Sequence, residues 1–435
     1  SLELNRIGDT GASTIVKNST WVNLEELYLA GNEISIEMAG ELKPHTSWVK
    51  LKTMICNVES EEVHGLLEDF KLEQFEGVEM PSSSVNESDA VIVARSLRWT
   101  ELQILDLNDN TIGDIGVQAI GKYITGNKLQ QLWLKNNMIG DEGAIAIGSN
   151  TTWTSLEELL LSRNKIGDKG AKSIGENTSW GNLKQLHLNL NEIGDEGATA
   201  IGSNTTWSNL EILYLNENKI GDIGVIAIGQ NTTWIDLREL VLYANRIGDE
   251  GAIAIGSNIT WTSLEELWLY ENKIGDKGAK SIGENTSWGN LKQLHLNLNE
   301  IGDEGATAIG SNTTWSNLEI LYLDENKIGD IGAIAIGQNT TWIDLRELGL
   351  HANRIGDEGA IAIGSNIIWT SLEELSLYKN KIGDKGAKAI GENTSWGNLK
   401  QLHLNINEIG DEGGAAIGSN TTWSNLECLS LQENK

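Results

Sequence analysis

The chain has 435 residues and a formal net charge of -30, with 62 acidic residues against 32 basic ones. Binding to nucleic acid or to an anionic membrane requires a basic face, so this balance argues against both partners. The two cysteines, Cys56 and Cys428, lie near opposite ends, which excludes a disulfide framework.

The N-terminal stretch, residues 1–58, reads as regular repeats. Asn5 and Asn32 stand one period apart, Leu24, Leu27 and Leu29 complete a unit, and Leu51, Met54 and Cys56 fall in phase. Residues 59–101 are irregular. Glu59 stands where an asparagine belongs, Leu72 and Phe75 are expected to mark a strand, and Glu87 to Leu97 reads as a helix after a Pro81-Ser82-Ser83-Ser84 turn. From 102 to 435 the array is regular. Its marker asparagines are Asn110, Asn137, Asn164, Asn191, Asn218, Asn245, Asn272, Asn299, Asn326, Asn353, Asn380, Asn407 and Asn434, one every 27 residues. A longer period of 108 residues overlies it: Leu183 to Asn209 recurs unchanged as Leu291 to Asn317. A repeat array grows without a second core, so one elongated domain spanning 1–435 is expected. Because Ser1-Leu2 enters in mid-repeat, the chain reads as a piece of something longer.

Within each unit, as in Leu264-x-x-Leu267-x-Leu269, the leucines alternate and face one side of a short strand. Asn272 ends the strand and its amide can serve loop backbone groups. Asp276 is placed as a helix N-cap, Ala279 and Ile282 form the helix's inner face, and Gly283 with Asn285 is expected to end it as a C-cap. Trp288 and its equivalents, Trp153 through Trp423, are expected to form an aromatic column in the core.

This pattern, Leu-x-x-Leu-x-Leu-x-x-Asn-x-Ile-Gly-Asp-x-Gly-Ala, resembles the leucine-rich repeat of the ribonuclease-inhibitor type, also seen in the repeat domains of NOD-like receptors and of the Ran GTPase-activating protein. The resemblance implies an α/β solenoid shaped as a horseshoe, with a parallel sheet on the concave face, helices on the convex face, and a role in holding other proteins. A GTPase-activating role would need a specific arginine that the sequence does not place. The repeat is shorter than is usual in the family, and its Gly-Ser-Asn-Thr-Thr-Trp tail replaces an apolar helical continuation, so a shorter helical layer is expected.

Copies of one unit inside the chain differ mainly on the outward strand face. Leu160, Trp268 and Ser376 occupy one such position; Ser162, Tyr270 and Tyr378 occupy the next. Framework held and face varied is the pattern of a recognition surface. Aromatic side chains anchor protein interfaces, and the outward rows carry Trp133, His187, Tyr214, Tyr243, Trp268, Tyr270, His295, Tyr322, His351, Tyr378 and His403. These are the candidate partner-binding residues for a protein ligand. Alongside runs a flanking row of alternating charge, Glu157, Lys184, Glu211, Arg238, Glu265, Lys292, Glu319 and Arg346, expected to pair across strands.

No catalytic or cofactor motif is present: His-Glu-x-x-His, Gly-x-Ser-x-Gly and the phosphate-cradling glycine loop are all missing, so a non-enzymatic chain is expected. His187, His295 and His403 share a row four strands apart, too far to hold one metal ion. Asn-x-Ser/Thr triplets, including Asn150, Asn204 and Asn231, suggest an alternative: a structural or cell-surface protein that self-assembles and carries glycans. No cysteine caps of the kind usual in secreted repeats are present, and this points to the cytoplasm.

Overall fold

The structure, a computed structural model, describes residues 7–21, 23–28, 53–55, 76–83, 85–96 and 101–435. The expectations for Asn5, Asn32, Leu51, Cys56, Glu59, Leu72 and Phe75 lie outside these residues. The chain divides into two compact units, Ser1–Leu210 and Glu211–Lys435.

In the first unit, β1 (Glu26–Tyr28), β2 (Thr53–Ile55), β3 (Gly77–Glu79), β4 (Ile104–Asp106), β5 (Gln131–Trp133), β6 (Glu158–Leu160) and β7 (Gln185–His187) pair in parallel, each with the next. The irregular stretch keeps the register: Val78 pairs with Met54 on one side and Leu105 on the other. Its helix, Glu87–Ser96, forms as expected. The Asn86 side chain accepts the amides of Ser88 and Asp89, and Asp89 accepts that of Asn86 in return, a reciprocal cap.

The second unit repeats the arrangement with β8 (Ile212–Tyr214), β9 (Glu239–Val241), β10 (Glu266–Trp268), β11 (Gln293–His295), β12 (Ile320–Tyr322), β13 (Glu347–Gly349), β14 (Glu374–Ser376), β15 (Gln401–His403) and β16 (Cys428–Ser430). An eight-residue helix such as Asp276–Gly283 follows each strand but the last. This is the solenoid architecture that the sequence pattern predicts.

The core lies between sheet and helices. Leu264, Leu267, Leu269, Ile274, Ala279, Ile282 and Trp288 are fully buried, and so are their equivalents in neighbouring repeats. Each large apolar side chain so buried contributes about 1.5–3 kcal/mol. Trp153, Trp180 and Trp207 in the first unit and the tryptophans from Trp234 to Trp396 in the second are fully buried, as expected of core residues.

Three polar columns sew each repeat to its neighbour. Asn299 donates from its amide to the carbonyls of Leu269, Leu296 and Asn297, and accepts the N–H of Ile274 at 2.9 Å. The marker asparagine therefore serves the preceding repeat as well as its own loop. Asp276 does not cap its own helix, whose N-cap residue is Gly275 and which has no side-chain cap. Instead its carboxylate accepts the amides of Gly302 and Gly305 at the start of the next helix, both at 2.8 Å. Asp276 is the first residue inside its helix, one past the N-cap position, and its side chain reaches across to the next repeat.

The C-terminal end also differs from expectation. Glu284 caps the helix in ordinary right-handed geometry. Gly283 is there because a Cβ would sit 2.5 Å from the backbone nitrogen of Ile309 in the next helix. Asn285 then closes a turn by accepting the amide of Ser287 at 2.8 Å, and its own amide donates back to Gly256 and Asn258.

Candidate functional site

Because strand residues alternate, Glu266, Trp268 and Tyr270 point away from the leucine core while Leu267 and Leu269 point into it. The same alternation sets all the candidate residues on the outward face of the sheet. All are half-buried rather than fully exposed except His295, which is buried and retains only 8% of its surface.

In the second unit the structure brings five of them together. Tyr243 stacks on Tyr270 with ring centres 4.1 Å apart and planes 10° from parallel. Trp268 lies 4.5 Å from the His295 ring, and His295 meets Tyr322 edge-on at 5.0 Å. Trp268 joins the two sets, at 6.4 Å from both Tyr243 and Tyr270. Tyr214 stands at one side and donates its hydroxyl to Glu239 at 2.5 Å. Tyr322 makes the equivalent bond to Glu347. Burial beside these carboxylates pushes both phenols up, and burial pushes the His295 imidazole down to about 4.

His351 and Tyr378 form a separate stack at 4.1 Å. His403 bonds instead to Ser430 and Gln401. In the first unit, Trp133 donates its indole N–H to Glu158 at 3.2 Å, and burial lowers the His187 pKa to about 4.

Residues that the ring pattern does not reveal complete the face. Asp324 is nearly buried and accepts both the backbone amide and the ring nitrogen of His351. It fits only because Gly349 has no side chain: a Cβ there would lie 2.3 Å from its carboxylate. The changes from Asn216, Val241 and Tyr243 to Asp324, Gly349 and His351 between the two 108-residue copies are therefore one coupled substitution. Glu239 and Glu347, the tyrosine acceptors, stand at the first outward position of their strands, a row whose acids the sequence shows but does not connect to the rings.

The flanking charges pair as expected. Lys184 meets Glu157 at 2.7 Å, Arg238 and Lys292 both meet Glu265 at 2.6 Å, and Arg346 meets Glu373 at 2.7 Å. Such exposed pairs contribute about 0–1 kcal/mol each, so their effect is mainly on register. The Asn-x-Ser/Thr asparagines from Asn150 to Asn339, together with Asn393, are at most 7% exposed, and their structural role is the turn column of which Asn285 is a member.

Among the described residues no group of three or more His, Cys, Asp or Glu side chains is placed to hold a metal ion. No described helix is long and apolar enough to cross a membrane.

No curated protein matches the sequence. Among solved structures, the chain is similar to an internalin (inlF) of Listeria monocytogenes, with a TM-score of 0.61 and 23% identity, covering 85% of this chain and 93% of that one. It is also similar to an LRR protein of Leptospira interrogans (TM-score 0.56, 22% identity, 96% and 86% covered) and to the plant peptide hormone receptor RGFR1 solved with RGF2 (TM-score 0.53, 17% identity, 96% and 72% covered). At these identities the likeness concerns the fold. The family described as Leucine Rich repeat matches twelve segments, residues 100–121, 127–148, 154–175, 182–202, 208–229, 236–256, 262–283, 290–310, 316–337, 344–364, 370–391 and 398–418. With more than half of its length so matched, and the strand, marker asparagine and helix recurring in each matched unit, the chain belongs to the leucine-rich repeat family.

Proposed function

We propose that the chain is a non-enzymatic recognition scaffold that holds a protein partner against the outward strand face of Glu211–Lys435. Tyr214, Tyr243, Trp268, Tyr270, His295 and Tyr322 form the centre of that surface, with His351, Tyr378 and His403 extending it. Trp133 and His187 offer the same chemistry in the first unit. The observation that carries this reading is the continuous set of rings from Tyr243 to Tyr322, packed edge and face on the side of the sheet away from the core. Rings that hold one another rigid lose little freedom on binding, which suits them as anchors. A plant peptide hormone receptor of related fold was solved in complex with RGF2, so a ligand-binding role is known for a neighbour of this fold. The finer likeness to the ribonuclease-inhibitor type of repeat belongs to this reading too, supported by the helix that follows each Asn-x-Ile-Gly-Asp loop.

The test is quantitative capture of partners by the intact chain and by Trp268→Ala/Tyr270→Ala. Loss of the captured protein from the variant is expected. Capture unchanged by the double substitution would move the site to the helical side.

A further inference from the structure

Building on that reading, the geometry points to an extended basic peptide as the partner, with two Arg or Lys side chains about six residues apart, each seated over one pair of glutamates: Glu239 with Glu266, and Glu347 with Glu374.

The three outward positions of each strand in Glu211–Lys435 carry five carboxylates, Glu239, Glu266, Asp324, Glu347 and Glu374, and no Lys or Arg. Asp324 is occupied by His351. The other four form two pairs of direct cross-strand neighbours. Among the described residues no Lys or Arg makes an ion pair with any of the four; Arg238, Lys292 and Arg346 are engaged with the flanking row. Like charges directly opposite one another destabilise a sheet, yet the same arrangement stands in both 108-residue copies. The first member of each pair is oriented by a tyrosine hydroxyl, from Tyr214 or Tyr322. Burial and the charge of the paired neighbour raise the pKa of Glu266 and Glu374, the direction expected of carboxylates short of a counter-charge.

A cation placed between two such carboxylates relieves their repulsion, and the half-buried ring of Trp268 beside the first pair offers a surface for an arginine plane. The two pairs are four strands apart, roughly 19 Å at about 4.8 Å per strand, and a peptide lying across the strands advances about 3.3 Å per residue. Six residues therefore separate the two cations. A partner of this charge also suits an acidic chain by long-range attraction.

The experiment titrates the intact chain with fluorescent peptides of one neutral composition that includes a leucine and a phenylalanine. In these peptides two arginines are placed six, three or ten residues apart, or are replaced by glutamate. Binding of the six-spaced peptide at least about fivefold tighter than the three- and ten-spaced ones is expected. So is a loss of tenfold or more in Glu239→Gln/Glu266→Gln, whose fold is checked by circular dichroism, and a marked weakening at higher salt. Equal affinity for all spacings, or an unchanged affinity in the Gln variant, overturns the inference. Peptide binding that ignores the arginines but is lost in Trp268→Ala/Tyr270→Ala would overturn the inference and leave the aromatic recognition face standing; binding indifferent to both variants would remove that face as well.

Discussion

Asp276 accepts the backbone N–H of Gly302, the residue that opens the helix of the following repeat, at 2.8 Å. A second bond from Gly305 reaches the same oxygen, so one carboxylate satisfies two amides that no bond within that helix can reach. The charge also faces the positive end of the helix dipole. Replacing Asp276 by Ala is expected to cost about 1–3 kcal/mol, with Asn less damaging because it keeps an acceptor. Stability in a solenoid is a sum over neighbours, so hydrogen exchange at Gly302 and Gly305 is the sharper readout. Unaltered protection of both amides in Asp276→Ala would contradict the assignment.

The glycines at the helix ends give a second prediction with an internal control. A Cβ on Gly283 would press to 2.5 Å on Ile309 N and 2.6 Å on Ala308 C, backbone atoms that cannot rotate aside. Gly289 has nothing within 4 Å of the same imaginary atom. Gly283→Ala is expected to destabilise by about 2 kcal/mol or more, as overpacking does. Gly289→Ala should be neutral or stabilise by up to about 1 kcal/mol, because it restricts the unfolded chain. Thermal melts of the two variants decide; equal shifts would mean that the helices are not held this closely.

What could be read from the residues follows their periodicity. Leu267, Leu269, Ala279, Ile282 and Trp288 are assigned to the core by their recurrence in the repeat, and the alternating row around Glu265 pairs as its signs require. The bonds between repeats are less legible, because Asp276 and Asn285 look like local caps and only the stacked neighbour shows which amides they serve. A left-handed residue in each regular repeat is invisible for another reason. Glu271, Leu298 and Ala352 have φ of 56°, 57° and 51° without being glycine, a conformation that costs about 1–2 kcal/mol per residue. The bond from the Glu271 amide to the Asn297 carbonyl in the next repeat helps to offset it. On the candidate face, ring positions are legible one by one, whereas the Asp324, Gly349 and His351 coupling needs two neighbouring strands in register.

The turn column bears on modification. Asn258 donates its amide to Gly229 and Asn231, and Asn285 does so to Gly256 and Asn258, each bond within 2.9 Å. A glycan needs that same nitrogen and an exit to solvent, and neither asparagine is more than 5% exposed. Expressed through a secretory pathway, chain that is recovered folded should carry no glycan on Asn258 or Asn285, as read by peptide mass mapping. Full occupancy at either residue in protein with an unaltered melt would show that the column is not built as described.

His295 sets the pH response of the aromatic face. Burial among Trp268 and Tyr322 lowers its pKa from the ordinary 6.5 to about 4, with Gln293 Oε1 lying 3.2 Å from Nε2. A folded pKa depressed below the unfolded one contributes stability that is present above pH 6.5 and is lost as pH falls through about 4. The loss from this one group is on the order of 3 kcal/mol. Carboxylates titrate in the lower part of the same window, so the difference between the intact chain and His295→Gln isolates the imidazole. The variant's melting temperature is expected to fall less steeply between pH 6.5 and 4. Parallel curves for the two proteins would mean that the imidazole is hydrated, and that the packing of His295 between Trp268 and Tyr322 is looser than the ring distances require.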